Sequence, residues 1–582
     1  MTSVTDVAPA PGRSRRQLTL GAILHGSGGH IAGWRHPSSP PGGQLDLDHH
    51  IQLARTLERG TFDALFVADV VAIWGHQYDS LRRTARADHF EPLTLLAALS
   101  TVTERIGLVA TATTTYNEPF HIARRFASLD HLSAGRAGWN VVTSVVPLEA
   151  GNFGRDTHLD HSARYLRAEE FVEVVRKLWD SFDDGSVVRD TASGHYYDPA
   201  GLRTPHHAGP HFTVRGPLNI SRPPQGHPVI FQAGSSETGL AFAARHGEVV
   251  FTAQTTLAGA QAFYADIKAR AAAYGRDSDH LLVWPLLAPF VASTRERARA
   301  RLAELQELVH DDVARRLVQD NIGDLDLSGY PLDGPLPPVG ATNRSRSRQE
   351  LMLDLARREN LTIRQLALRF TTAGAVVGTP EDVADHIEEW FTTRAADGFN
   401  VSFPYLPGAA EDFVDHVVPE LRRRGLFRHA YETTTLRGHL GLPRPGPAHV
   451  RGPTPGMPRT SVPWASGTPR PWAARTSGAA RTSGTARVSA AVGASAAVRA
   501  AGAPSRGRWA RGGGTGQGRR REAGDPWHLT WHPTLPVTPA PPAQPASPST
   551  AAGDGCISTP SSSRRGSSWP PGGTRAPSRT RA

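Results

Sequence analysis

Gly234-Ser235-Ser236 stands between an apolar run and a helical pattern, and its residue types suit it to hold an anion. Glycine permits a tight turn. Two hydroxyls can donate, and the amides that open a helix favour negative charge. A cofactor phosphate fits such a loop, and so does an ordinary cap with Ser236 at its N-cap. His161 and Tyr165 lie four residues apart on a helical pattern, so they share a face and can grip a ligand edge or pack. Asp69 ends an apolar run, where a carboxylate needs partners or solvent. Thr111, Thr113 and Thr115 alternate on one strand face, as ligand hydroxyls or as packing. His158, His206, His207 and His211 lack HExxH-type spacing, so no metal site is expected, and no GxSxG, GxGxxG or Walker pattern occurs.

These groups need elements that bring them together. Eight short apolar runs read as strands: Leu18–His25, Ala64–Asp69, Ile106–Thr113, Arg136–Ser144, Pro228–Gly234, Glu248–Gln254, Leu281–Ala292 and Gly398–Tyr405. Several are nearly continuous in Val, Ile, Leu and Phe, as parallel strands buried on both faces should be. Helical patterns separate most of them: Asp46–Arg59, Pro92–Thr103, Pro119–Leu132, Ala163–Phe182, Ser236–His246, Ala258–Tyr274, Thr294–Leu308, Pro380–Ala396 and Ala409–Arg424. Eight βα units predict a TIM (β/α)8 barrel with insertions, at residues 183–227 and 309–374. In that fold the site lies at the C-terminal strand ends, where Asp69, Thr111, Thr113 and the Ser235/Ser236 loop all fall. Trp34, Trp74 and Trp139 are expected to shape an apolar pocket there or to belong to the core.

Charge divides the chain. Residues 451–582 carry 18 Arg against 3 acids, more than the whole chain's +10, which leaves residues 1–450 at −5. The high pI therefore belongs to the tail. Past Arg444 the apolar periodicity stops and Pro, Gly, Ala, Ser, Thr and Arg dominate, a composition that cannot offset its ordering entropy. Residues 1–17 are expected to be a disordered N-terminus, 18–443 one barrel domain and 444–582 a disordered tail. Six tryptophans scattered through that tail suggest an out-of-frame reading of GC-rich DNA. The sole cysteine, Cys556, lies there too, so the barrel uses no disulfide or thiolate. No apolar run approaches the ~20 residues that span a bilayer. Nor is there a signal-peptide h-region, and a cytoplasmic location is the default.

Several blocks carry a more specific message: Phe62-Asp63-Ala64-Leu65-Phe66-Val67-Ala68-Asp69, Glu91-Pro92-Leu93-Thr94-Leu95-Leu96, Thr114-Thr115-Tyr116-Asn117-Glu118-Pro119, Gly135-Arg136-Ala137-Gly138-Trp139-Asn140-Val141-Val142-Thr143-Ser144 with Asn152-Phe153-Gly154, and Ala233–Thr238. Over residues 18–442 the chain resembles the bacterial luciferase-like FMN-dependent monooxygenases, in the branch with nitrilotriacetate and dibenzothiophene sulfone monooxygenases. The resemblance implies a two-component enzyme. FMNH2 comes from a separate NAD(P)H:flavin reductase, and O2 is used to oxygenate a small organic substrate with C–N or C–S bond cleavage. It implies FMN contacts at Asp69, Thr111 or Thr113, His161, Tyr165, Ser235 and Ser236, and it names no catalytic residue. It also implies a homo-oligomer. The loop 70–90 is a few residues shorter than in many members, which bears on the substrate. The alternatives are a deazaflavin-dependent oxidoreductase of the same superfamily, or nucleic-acid binding through the Arg-rich tail.

Overall fold

Eight parallel strands close into a ring in the computed structural model, which describes residues 16–73, 81–234, 236–323, 325–342 and 346–447. They are β1 (Thr19–Ile23), β2 (Ala64–Val67), β3 (Gly107–Thr113), β4 (Ala137–Val142), β5 (Val229–Gln232), β6 (Val249–Thr252), β7 (Leu282–Val291) and β8 (Gly398–Val401). Each pairs with its neighbours in this order, and β8 pairs back to β1. Followed strand to strand, the register returns to β4 displaced by about eight residues, the shear of a (β/α)8 barrel. All eight expected strands are the barrel strands, each trimmed by one to four residues. Residues 1–15 of the expected N-terminus and the tail from residue 448 lie outside the described residues, as do Trp74 and Ser235. Arg16 and Arg444, just beyond the expected domain limits, are held to the barrel. Arg16 pairs with Asp397 at 3.0 Å, and Arg444 pairs with Asp184 at 2.7 Å.

The register also sorts the inward side chains into layers, four from alternate strands in each. Gly21, Val109, Phe231 and Trp284 form one. A Cβ at Gly21 would lie 2.3 Å from the Trp284 ring, so only glycine leaves room for that indole. The next layer up holds Phe66, Asn140, Phe251 and Asn400, with the two phenyl rings in contact at 4.7 Å across the axis. Leu436, Leu440 and Leu442, from the C-terminal segment, join these aromatics and plug the barrel's lower end. Arg437 anchors the plug on Glu248 at 2.7 Å.

On the outside, α1 (Leu47–Arg59) and α2 (Pro92–Leu99) are followed by α3 (Pro119–Leu132) and α4 (His161–Trp179), which cover β4. Trp139 faces them. It is fully buried against Phe126, Phe171 and Trp179, and so belongs to the outer core rather than to a ligand pocket. The strand alternation that turns Asn140 inward turns Trp139 outward.

The stretch after β7 is a separate helical unit. Asp311–Ile322, Arg346–Arg358 and Ile363–Thr371 share a core that includes Val318, Met352 and Leu366. The first of these helices was not expected from sequence, because its Val313, Val318 and Ile322 stripe is thin until the other two helices bury it. A short ninth strand, Ala375–Gly378, then pairs with the upper half of β7. In the other insertion the chain forms a 3-10 turn at Pro199–Gly201 and a small hairpin, His207–Ala208 with Thr213–Val214.

Buried and half-buried histidines tie this fold to pH. Burial is the leading cause that pulls His30, His158, His246, His386 and His439 down to about 4. The unfolded chain therefore binds more protons than the folded one between pH 6.5 and 4, and stability falls as pH is lowered through that window. Urea midpoints should drop between pH 7 and pH 5. His386→Phe, which keeps the packing on Trp390 and Phe399, should recover part of the drop. A flat pH dependence would contradict this.

Candidate active site

The C-terminal barrel mouth is open, and small or aliphatic residues floor it. Ala68, Ala233 and Ala253 are exposed, and Ile23, Val142, Leu286 and Ser402 are partly so. A flat ring can rest on such a floor, while polar groups stand around its rim.

On one side the N-termini of two helices meet. Ser236 is the N-cap of α5 (Glu237–His246), and its Oγ accepts the Gly239 amide at 3.2 Å. The same Oγ lies 3.4 Å from Nε2 of His161, the first residue of α4. The His161 and Tyr165 rings pack at 4.9 Å. The Tyr165 hydroxyl reaches Thr143 and Ser236, although burial outweighs those bonds and raises its pKa. A Cβ on Gly234 would lie 2.9 Å from both the Gly239 Cα and the Tyr165 hydroxyl, so a side chain there would have to displace backbone.

Arg164 sits beside Tyr165 and is fully buried. Its Nη1 donates to the Leu159 carbonyl at 2.5 Å, while Nε and Nη2 have no partner among the described residues. Burial lowers its pKa, against the pull of Tyr165, Tyr116, Glu149 and Asp160. Such a guanidinium is costly unless something anionic completes it.

The strand ends of β3 and β4 carry a hydroxyl chain. Asn140 Nδ2 donates to Thr111 Oγ1 at 3.0 Å, and the buried Asn140 Oδ1 has no partner among the described residues. Thr113 Oγ1 and Ser144 Oγ are 2.8 Å apart, and Ser144 donates to Glu149 Oε2 at 2.6 Å. Ser144 has φ of +57°, a strained conformation for serine. Glu149 braces the strained turn by also accepting the Val146 amide at 3.2 Å. Desolvation raises the Glu149 pKa. Beside this chain, the Tyr116 hydroxyl meets His158 Nδ1 at 2.6 Å.

Across the mouth, Asp69 pairs with His89 Nε2 at 3.0 Å, a bond that raises the histidine pKa. Arg86 donates to His25 Nδ1 at 3.2 Å and to the Gly29 carbonyl at 3.0 Å.

The structure thus gathers His161, Tyr165 and Ser236 at one spot, puts Thr111 and Thr113 on adjoining rungs of β3, and sets Asp69 at the end of β2. Sequence reading missed Arg164, Glu149 and Arg86. A charged residue on a helix reads as solvent-facing, and nothing in its neighbours' spacing announces burial. For Arg164 the one available signal was its place beside Tyr165 in the first turn of α4.

A family model described as luciferase-like monooxygenase matches residues 27–397. The chain is 60% identical to one of the subunits of pristinamycin IIA synthase from Streptomyces pristinaespiralis, over 74% of this chain and 97% of that one. It is 51% identical to nitrilotriacetate monooxygenase component A of Aminobacter aminovorans, over 74% and 98%. Among solved structures, a riboflavin lyase with modified FMN and riboflavin superposes with a TM-score of 0.66, at 34% identity over 73% of this chain and 96% of that one. With its closed barrel and a match of this extent, the chain belongs to the luciferase-like monooxygenases, a family of flavin-dependent enzymes.

Proposed function

We propose that this protein is the oxygenase component of a two-component system that uses FMNH2 and O2 to oxygenate a small organic molecule, with cleavage at a C–N or C–S bond. The observation that carries the cofactor-phosphate assignment is Arg164, a buried guanidinium beside Tyr165 of the His161–Tyr165–Ser236 cluster, with two nitrogens that have no partner among the described residues. A phosphate there would complete its hydrogen bonds and face the α5 amides. Ser235 belongs to the same loop by sequence. Asn140 Oδ1 offers an acceptor for a ring N–H, and Thr111 and Thr113 fix the height of the ring edge. The Ser144–Glu149 brace keeps that rim rigid.

When bound, reduced FMN supplies the two electrons that activate O2, one oxygen atom going to substrate and one to water. The protein's part is to hold, orient and exclude water. The helical unit after β7 is placed to cover the mouth: Arg35, on the loop after β1, donates to the Leu308 carbonyl at 2.5 Å, and Arg83 approaches Asp312 at 3.8 Å. Two relatives are named as parts of larger systems, one as "component A" of a monooxygenase and one as a synthase subunit. Those names support a partner that delivers reduced flavin, an NAD(P)H:flavin reductase.

Anaerobic titration tests the cofactor. Micromolar FMNH2 should quench protein fluorescence saturably, and reduced deazaflavin should not. The reverse preference would replace this reading with a deazaflavin-dependent oxidoreductase. A substrate screen with a generic flavin reductase, monitoring release of sulfite, aldehyde or glyoxylate, then identifies the bond cleaved.

A further inference from the structure

We propose that His25 and His30 form a two-donor subsite at the barrel mouth that receives an uncharged oxygen acceptor of the substrate, with Arg86 as the residue that positions it. The acceptor class is a carbonyl, amide or sulfonyl oxygen. The proposal rests on the oxygenase reading only in placing a substrate at this mouth.

The neighbouring donors fix which imidazole nitrogens carry the protons. A guanidinium can only donate, so the Arg86 contact at 3.2 Å makes His25 Nδ1 the acceptor and leaves the ring proton of a neutral imidazole on Nε2. A backbone amide can only donate too. The Ala32 N–H, 3.2 Å from His30 Nδ1, fixes His30 in the same tautomer. His30 is 4% exposed, and its Nε2 has no partner among the described residues. A buried N–H without an acceptor is unfavourable, and a ligand oxygen would relieve it. The two rings belong together. His25 lies two residues past the end of β1, Arg86 also binds the Gly29 carbonyl beside His30, and the loop is pinned to the segment after β8 by Gly29 N–H to the Phe403 carbonyl at 2.7 Å.

Charge selects the class of acceptor. Burial, then the charge of Arg86, keeps both rings far below the usual histidine range, so at neutral pH they offer N–H dipoles and no cation. The charged groups nearby balance one another: Arg86 is engaged by His25 and Gly29, His89 is paired with Asp69, and Asp88 adds a further negative charge. Among the described residues a carboxylate would find no cation here that lacks a partner, whereas a neutral oxygen loses little on desolvation and gains two donors. Neutral imidazole serves as an electrophile on the same principle elsewhere.

The test uses the full-length protein labelled with 15N-histidine, with the two rings assigned through His25→Gln and His30→Gln. Both rings should show a protonated Nε2 and a bare Nδ1 at pH 7. Tetramethylene sulfone should shift both Nε2 resonances saturably, and equimolar succinate should not. Arg86→Met should return His25 to a mixture of tautomers and leave His30 fixed by Ala32. If that variant does not fold, the wild-type spectra decide alone. A protonated Nδ1 on either ring, an equal response to succinate, or silence towards the sulfone would overturn the proposal. The readout needs no flavin, so its failure is separate from a failed FMNH2 titration.

Discussion

Arg164→Met should weaken FMNH2 binding by about 100-fold while leaving the apoprotein as stable as before or more so. The two signs come from one cause. In the free protein the guanidinium is fully buried, with one bond to the Leu159 carbonyl and two nitrogens lacking partners among the described residues. Methionine fills much of the same volume without a charge to desolvate, and replacing buried charge by apolar groups of similar size is often neutral or stabilising. In the complex the same side chain would meet a phosphate with two charge-assisted bonds, each worth roughly 1.5–3 kcal/mol. Losing about 2.7 kcal/mol of that corresponds to the 100-fold change. Isothermal titration under anaerobic conditions, beside urea unfolding of the apoprotein, separates the two effects. A purely structural arginine would give the opposite pattern, with lower stability and affinity unchanged.

The barrel was legible because its signals are local and repeated. Eight apolar runs at βα spacing survive errors of a few residues at each end, and β3 and β4 were found nearly to their bounds. The candidate site was legible where a residue type is rare in its setting, as with Asp69 at the end of an apolar strand and Ser236 ahead of a helix. It was illegible where function depends on burial. Arg164, Glu149 and Arg86 are long polar side chains in helix or loop sequence, and only tertiary packing takes their solvent away. Trp139 shows the converse. Its neighbour Asn140 points into the barrel, and one step of strand alternation sends the indole to the outer core, a distinction that hydrophobicity alone does not carry.

The same logic separates the two meanings of Ser236. If it is only a helix cap, Ser236→Asp should be harmless, since aspartate caps as well as serine and complements the helix dipole. The Gly239 amide would keep its acceptor, and the apoprotein melting temperature should hold or rise. If a phosphate rests against this turn, the new carboxylate faces it within about 4 Å, where two unit charges at an effective dielectric of 20 repel by about 4 kcal/mol. FMNH2 affinity should then fall by more than 100-fold, with Ser236→Asn, an equally good neutral cap, losing far less. The His161 ring, 3.4 Å from this hydroxyl, supplies an internal check: beside an aspartate its pKa should rise, which histidine NMR can follow. Unchanged affinity in the aspartate variant, with His161 shifted as expected, would prove the substitution effective and move the phosphate away from this loop. Lost affinity with an unmoved melting temperature would assign Ser236 to the ligand and leave its capping role intact.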